Sequence, residues 1–141
     1  MEDIYSLGLF VHRASIALAK ALNAALVEAG IDLPHSQFIV LRALYYRDGQ
    51  SQLNIAKLLS KDTAAIKRTI DCLCEKGLVE RQTVRAMKNS IQITDKGRDT
   101  IPAALDIAQK IINKAFGEVS DMQRDKILET LDYIYKNLQK K

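Results

Sequence analysis

The sequence predicts a mainly α protein with a small β-wing (α+β). A winged helix-turn-helix domain occupies residues 34–99, and helices at the two ends, residues 1–33 and 100–141, make a second region. Three observations carry this. Glycine and proline are sparse, 6 and 2 in 141 residues, while apolar residues recur at helical spacing over long stretches. Residues 62–79, DTAAIKRTIDCLCEKGLV, read as a capped helix that stops at a glycine and turns into a strand. Two alternating segments around a short basic turn follow it directly.

Residues 3–29 read as one long helix, with Ile4, Leu7, Val11, Ala14, Leu18, Leu22 and Ala25 along one stripe. Leu9, Phe10 and Ile16 lie off that stripe, so this helix has to meet two neighbours. Gly30 ends it. Asp32-Leu33-Pro34 starts the next helix, proline being tolerated in a first turn. Its buried face is expected to be Phe38, Leu41, Leu44 and Tyr45. Asp48-Gly49 is a turn signal. Ser51 then caps a short helix over residues 52–59, with Ile55, Leu58 and Leu59 inward.

After the Ser60-Lys61 connection, Asp62 caps the next helix. Ile66, Ile70 and Leu73 give it a buried face, and Gly77 supplies the left-handed stop. The opposite face carries Thr63, Ala64, Lys67 and Arg68. It is small at the tip and basic further along, which suits close approach to a polyanion, and a helix fits the DNA major groove. The plainer reading of a Lys-Arg pair is a solvated amphipathic helix. A short helix bracing a second one on its N-terminal side is what tips the reading towards DNA. Residues 78–84 and 90–94 look like strands, with Ile91 and Ile93 on one face. Between them lies a basic tip, residues 85–89, in which Arg85 and Lys88 are candidates for phosphate or minor-groove contact.

Thr94 caps the following helix, and Pro102 is expected to kink it or restart it with Thr100 as a second cap. Leu105, Ala108, Ile112 and Ala115 form its stripe, widened by Ile107, Ile111 and Phe116. Gly117 breaks the pattern, and Ser120-Asp121 opens the last helix. Its Ile127, Leu131, Ile134 and Leu138 follow a coiled-coil-like spacing. The two ends carry more apolar surface than one small domain needs, so they are expected to form a helical dimerisation region. The alternative is a monomer whose ends make a simple bundle.

Composition fits this picture. With 48% apolar residues a real core is available. Net charge is +4, but residues 51–98 hold ten Lys or Arg against five Asp or Glu, a net of +5, leaving −1 for the rest. Cys72 and Cys74 are two apart on one helix, point to different faces and have no histidine nearby. No metal or cofactor is expected, and the thiols suit a reducing cytoplasm. No stretch is expected to span a bilayer, and the acidic Glu2 and Asp3 do not suit a signal peptide. There is no glycine-rich phosphate loop and no nucleophile, base and orienting group at a recognisable spacing, so no enzyme is expected. His12 and Arg13 sit mid-helix, where a surface or capping role is the plainer reading. Where the first two helices should meet the winged domain, His12, Phe38 and Tyr45 are candidates for a ligand pocket.

SQLNIAKLLSKDTAAIKRTIDCLCEKGLVER followed by ITDKGR resembles the multiple-antibiotic-resistance regulator (MarR) family of bacterial winged-helix transcription factors. LPHSQFIVLRAL is similar to that family's second helix, and the resemblance covers almost the whole chain. It implies a homodimer built from the terminal helices that binds a palindromic operator in double-stranded DNA, usually as a repressor. Many members release DNA when a small aromatic or phenolic effector binds. By position, Arg68 matches the family's reading-helix arginine, and Thr63, Ala64 and Lys67 match groove-facing positions. Ser51 and Gln52 match phosphate-contacting positions, and Asp71 matches an acid that orients an arginine.

The wing departs from the family's Asp-x-Arg: those places hold Arg85 and Met87, in a shorter loop. Ala64 and Ala65 make the helix tip less polar than usual; alanine can touch a thymine methyl but makes no bidentate base contact. Two alternatives stay open. One is a dimer of the same fold that binds a small molecule or protein without DNA. The other is a regulator switched by oxidation of Cys72 or Cys74.

Overall fold

The computed structural model describes residues 6–84 and 88–140. Their elements run α1 (Ser6–Glu28), α2 (His35–Tyr46), α3 (Gln52–Leu59), α4 (Thr63–Glu75), β1 (Val79–Val84), β2 (Lys88–Ile93), α5 (Asp95–Phe116) and α6 (Asp121–Gln139). This is a winged helix-turn-helix between long terminal helices. One apolar core runs through it: Leu22 and Leu26 of α1, Leu41 and Leu44 of α2, Ile55 of α3, Ile70 and Leu73 of α4, Ile91 of β2, and Ile101 and Ala104 of α5.

Most helices start where a side chain can take up an orphan amide. Ser51 Oγ accepts from Asn54 N at 3.1 Å and Asp62 Oδ1 from Ala65 N at 2.7 Å. Thr94 Oγ1 accepts from Gly97 N at 3.1 Å. Ser120 and Gln123 form a reciprocal capping box at α6. Such caps contribute about 1 kcal/mol each. Pro34 cannot cap α2, and Asn23 Oδ1 of α1 does so instead, accepting from His35 N at 2.6 Å. The burial of Leu22, directly before it, and of Leu26, one turn after Leu22, sets the face on which Asn23 stands.

Several expectations are corrected. Only Leu22 and Leu26 of α1 are buried, and Leu7, Val11 and Ala14 of the expected stripe are exposed. At 23 residues, α1 is also long and apolar enough by length and composition to cross a bilayer, contrary to the sequence reading. Its C-terminal half nonetheless belongs to the protein core, through Leu22, Leu26 and the cap it gives α2. Leu58 is 62% exposed, and Ala56 takes the inward place beside Ile55. The inward stripe of α3 runs through Ile55, Ala56 and half-buried Leu59, and Leu58 falls to one side of it. Pro102 does not restart α5, which runs unbroken, and Thr100 donates to the Lys96 carbonyl at 2.8 Å rather than capping. Fully buried Ile101 and Ala104 flank the proline and hold the helix to the core through the missing amide. Of the two cysteines, Cys72 is exposed and Cys74 half-buried.

The hairpin pairs Val79 with Ile93 through Val84 with Lys88, so β2 opens two residues before the expected start. Gln50, just ahead of α3, adds a bridge: Ile91 N donates to its carbonyl at 2.9 Å, and Gly49 N donates to Ile91 O at 3.1 Å. The wing root is thereby tied to the helix-turn-helix.

α4 ends in a Schellman turn. Leu78 N donates to Leu73 O and Gly77 N to Cys74 O, both at 3.0 Å, with Gly77 at φ +73°. The first turn of α5 then presses onto this end. Thr94 N donates to Leu78 O at 3.0 Å, and Thr94 Oγ1 donates to Gly77 O at 2.7 Å. Gly97 is there because nothing larger fits: an added Cβ would strike the Leu78 carbonyl oxygen and lie 2.7 Å from Ile93 Cγ1. Gly97→Ala should therefore destabilise the fold by at least about 2 kcal/mol, the range of overpacked sites, as read by urea unfolding. An unchanged midpoint would show that α5 can lift away from α4.

Candidate nucleic-acid interface

α4 is presented by α3. The connection turns at Ser60, in the left-handed region at φ 52°, and Gln52 Nε2 reaches the Thr63 carbonyl at 3.4 Å. Burial of Ile66, Ile70 and Leu73 on one side leaves Thr63, Ala64, Lys67 and Arg68 exposed together on the other. This is the grouping the sequence predicts. Ser51 and Gln52 lie half-buried at the start of α3, where the resemblance places them. The Ser51 hydroxyl accepts the Asn54 amide as a cap. Arg85, like Met87, lies outside the described residues; Lys88 is the first residue of β2.

Asp71 sits among these cations. Its Oδ1 accepts from Arg81 Nη2 at 2.6 Å, and its Oδ2 faces Lys67 Nζ at 3.1 Å. The Arg81 guanidinium, and then Lys67, hold the Asp71 carboxyl below its ordinary value. Arg81 Nη1 also lies 3.8 Å from Cys74 Sγ. Burial pushes the Cys74 thiol up, against the pull of Arg81, so thiolate is disfavoured there. Among the described residues Arg68 has no ion-pair partner.

Asp48 has a part that turn chemistry alone does not reveal. Its Oδ1 accepts from Gly49 N at 2.9 Å and from Ile93 N at 2.8 Å, and its Oδ2 pairs with Arg98 at 3.0 Å. It thus locks the turn before α3 to the wing and to α5. The only signal in the sequence is an acid at a turn opposite a later arginine, too common to single it out.

The ligand-pocket candidates separate. Phe38 is in the core, Tyr45 packs against the core and meets Tyr46 edge to face, and His12 is exposed on α1. The surface cavities of α1–α6 seen among the described residues are lined by other side chains. One of about 430 Å³ lies between the α1–α2 connection, the end of α4 and the start of α5, lined by Asp32, Lys76, Lys96, Asp99 and Thr100. Another of about 650 Å³ lies along α2 and α3 beside Arg42, Tyr46 and Leu58. Among the described residues no group of three or more His, Cys, Asp or Glu is placed to hold a metal.

Known proteins share this fold. The MarR family model matches residues 33–84. The uncharacterized HTH-type transcriptional regulator YdgJ of Bacillus subtilis (strain 168) is 27% identical over 114 residues, 79% of this chain and 69% of that protein. CouR from Rhodococcus jostii RHA1, in a crystal structure bound to p-coumaroyl-CoA, superposes with TM-score 0.82 at 27% identity, over 94% of this chain and 91% of that one. A MarR-family regulator from Rhodococcus sp. RHA1 superposes with TM-score 0.86 over 95% and 96% of the two chains; at 24% identity this likeness speaks for the fold.

The Asp71 cluster makes a titration prediction. The Asp71 carboxyl should titrate below its ordinary 3.8 in carbon-detected NMR, and Arg81→Gln should move it upward. Because the folded value is the lower one, the pair's stabilisation is complete above 3.8 and is lost as pH falls through the depressed value. A carboxyl unmoved by Arg81→Gln would mean that the guanidinium is not its main partner.

Proposed function

We propose that the chain, which is similar to the MarR family over residues 33–84, is a winged-helix transcriptional regulator and acts as a homodimeric repressor that sets α4 of each copy into successive major grooves of a palindromic operator. The observation that carries this is the uncovered face of α4. Thr63, Ala64, Lys67 and Arg68 stand together, exposed, at the tip of a helix braced by α3. Arg68 and Lys67 supply most of the electrostatic affinity, and Ala64 approaches thymine methyls. Ser51 and Gln52 approach the phosphates beside the groove, and Arg85 and Lys88 add contacts from the wing.

The homodimer is supported by the terminal helices. α6 buries none of its residues, and Ile127, Leu131, Tyr135 and Leu138 are exposed along it. Leu7, Phe10 and Val11 of α1 are likewise uncovered, close to the place where the two helices meet around Leu7 and Ile127. Apolar surface of this extent marks an association site. A two-fold pair would place two α4 helices about 34 Å apart, one DNA turn.

Release by a small aromatic or phenolic effector belongs to the same proposal, since a 27%-identical regulator of this fold has been crystallised with p-coumaroyl-CoA. The cavity beside Lys76 and Lys96 is the place we assign to it, because a ligand there would press on the end of α4 and the start of α5 together. A cytoplasmic location follows from this role.

Selection of bound duplexes from a random pool should recover a palindrome. On that duplex, Arg68→Ala should weaken binding by about 1–3 kcal/mol, and wild-type affinity should fall steeply with salt. Flat salt dependence, or wild-type affinity in a folded Arg68→Ala protein, would remove α4 from the interface. Leu131→Asp should shift sedimentation from dimer to monomer and abolish the preference for paired half-sites. A variant that still sediments as a dimer would place the interface elsewhere.

A further inference from the structure

The exposed face of α4 carries a carboxylate where a polyanion would lie. At about 100° of rotation per residue, Asp71 falls between Lys67 and Arg68 around the helix, opposite Ile66, Ile70 and Leu73. It is 41% exposed. Left as a bare anion it would repel phosphate and hold Lys67 to itself.

Two cations share it, and they are not equivalent. Lys67 lies one turn before Asp71, the less favourable order for a helical ion pair, and is 63% exposed at 3.1 Å. Such a pair exchanges easily with solvent and other anions. Arg81 comes from β1, is only 33% exposed, bonds at 2.6 Å, and rests its other terminal nitrogen near Cys74 Sγ. It is the tighter partner.

We propose that Arg81 is a positioning residue for DNA binding: by holding Asp71 from the first wing strand, it leaves Lys67 free to exchange the carboxylate for a phosphate. The charge on the α4 face then depends on the wing root being seated, though Arg81 itself need not touch DNA. This rests on the reading that α4 meets DNA.

The test measures binding to a duplex recovered by the wild-type protein from a random pool, across a salt series, with folding checked by circular dichroism. Arg81→Gln should bind about tenfold more weakly, with the slope of log affinity against log salt reduced by about one. Arg81→Lys should keep most of the affinity. Asp71→Asn should bind at least as well as wild type, and Arg81→Gln with Asp71→Asn should regain wild-type affinity. A double variant as weak as Arg81→Gln overturns the proposal, because Arg81 would then act on DNA directly or only through wing structure. Should Arg81→Gln alone fail to fold, the comparison is made in the Asp71→Asn background, where loss of Arg81 should cost nothing; a further loss overturns the proposal. Arg68→Ala runs in parallel. If it too binds like wild type, the α4 interface itself is wrong. If it is weak while Arg81→Gln is not, the proposal alone falls.

Discussion

The fold depends on how closely the start of α5 approaches the end of α4. Thr94 donates twice to that end, through its amide to Leu78 O and through its hydroxyl to Gly77 O. Gly97 lets the two backbones meet where a methyl group would collide. Three directions are fixed at this one junction: the axis of α4, the root of the wing and the departure of α5 towards the terminal helices. Each bond there is worth about 1 kcal/mol, so the energy is modest. What the junction contributes is geometry, because a rigid corner gives α4 one orientation relative to α5. Lys96 Nζ, on the Lys76 carbonyl at 2.8 Å, and the Asp48–Arg98 pair brace the same corner from two sides.

Electrostatics are layered on this corner. A winged domain that meets DNA needs cations, but bare cations crowded on one helix repel each other and destabilise it. Asp71 relieves that repulsion in the folded protein and would become a liability against phosphate. Arg81 resolves the conflict by coming from a different element, so that compensation does not use a side chain needed at the α4 tip. Cys74 shares this niche, and its half-buried thiol beside Arg81, with ionisation disfavoured, reads as packing rather than as a sensor.

The parts of this arrangement legible in the sequence are those with local causes. Ser51, Asp62, Thr94 and Ser120 cap where they were expected to, and Gly77 stops α4, because a cap needs only residues within one turn of itself. The exposed grouping of Thr63, Ala64, Lys67 and Arg68 followed from helical period alone. What escaped depends on partners distant in the chain. Asp48 looks like any turn acid until Ile93 N and Arg98 arrive from 45 and 50 residues away. Gly97 looks like a helix weakness until the Leu78 carbonyl is seen against it. Pro102 was expected to break α5 on propensity, and burial on both sides overrode it. The pocket trio is spread out for a similar reason: the core claimed Phe38, and no spacing rule says which aromatic a core will claim.

The outward faces of α1 and α6 connect the corner to the proposed regulation. α5 is rooted against α4 at its first turn and leads through Gly117 into α6, where Arg124 stacks over Phe116 and bonds Asn113 and the Gly117 carbonyl. The elbow between α5 and α6 is therefore stiff as well. In a two-fold pair joined through α1 and α6, a rotation at the pair's axis is carried along α5 to α4 with little lost in bending. A palindromic operator would test only the separation and tilt of the two α4 helices. A ligand wedged beside Lys76 and Lys96 sits at the junction of α4 and α5, where a small displacement has the longest lever to both. The proposed effector control and the proposed role of the wing root thus converge on one place: the end of α4, where Gly77 and Leu78 hold α5 and Arg81 follows along β1.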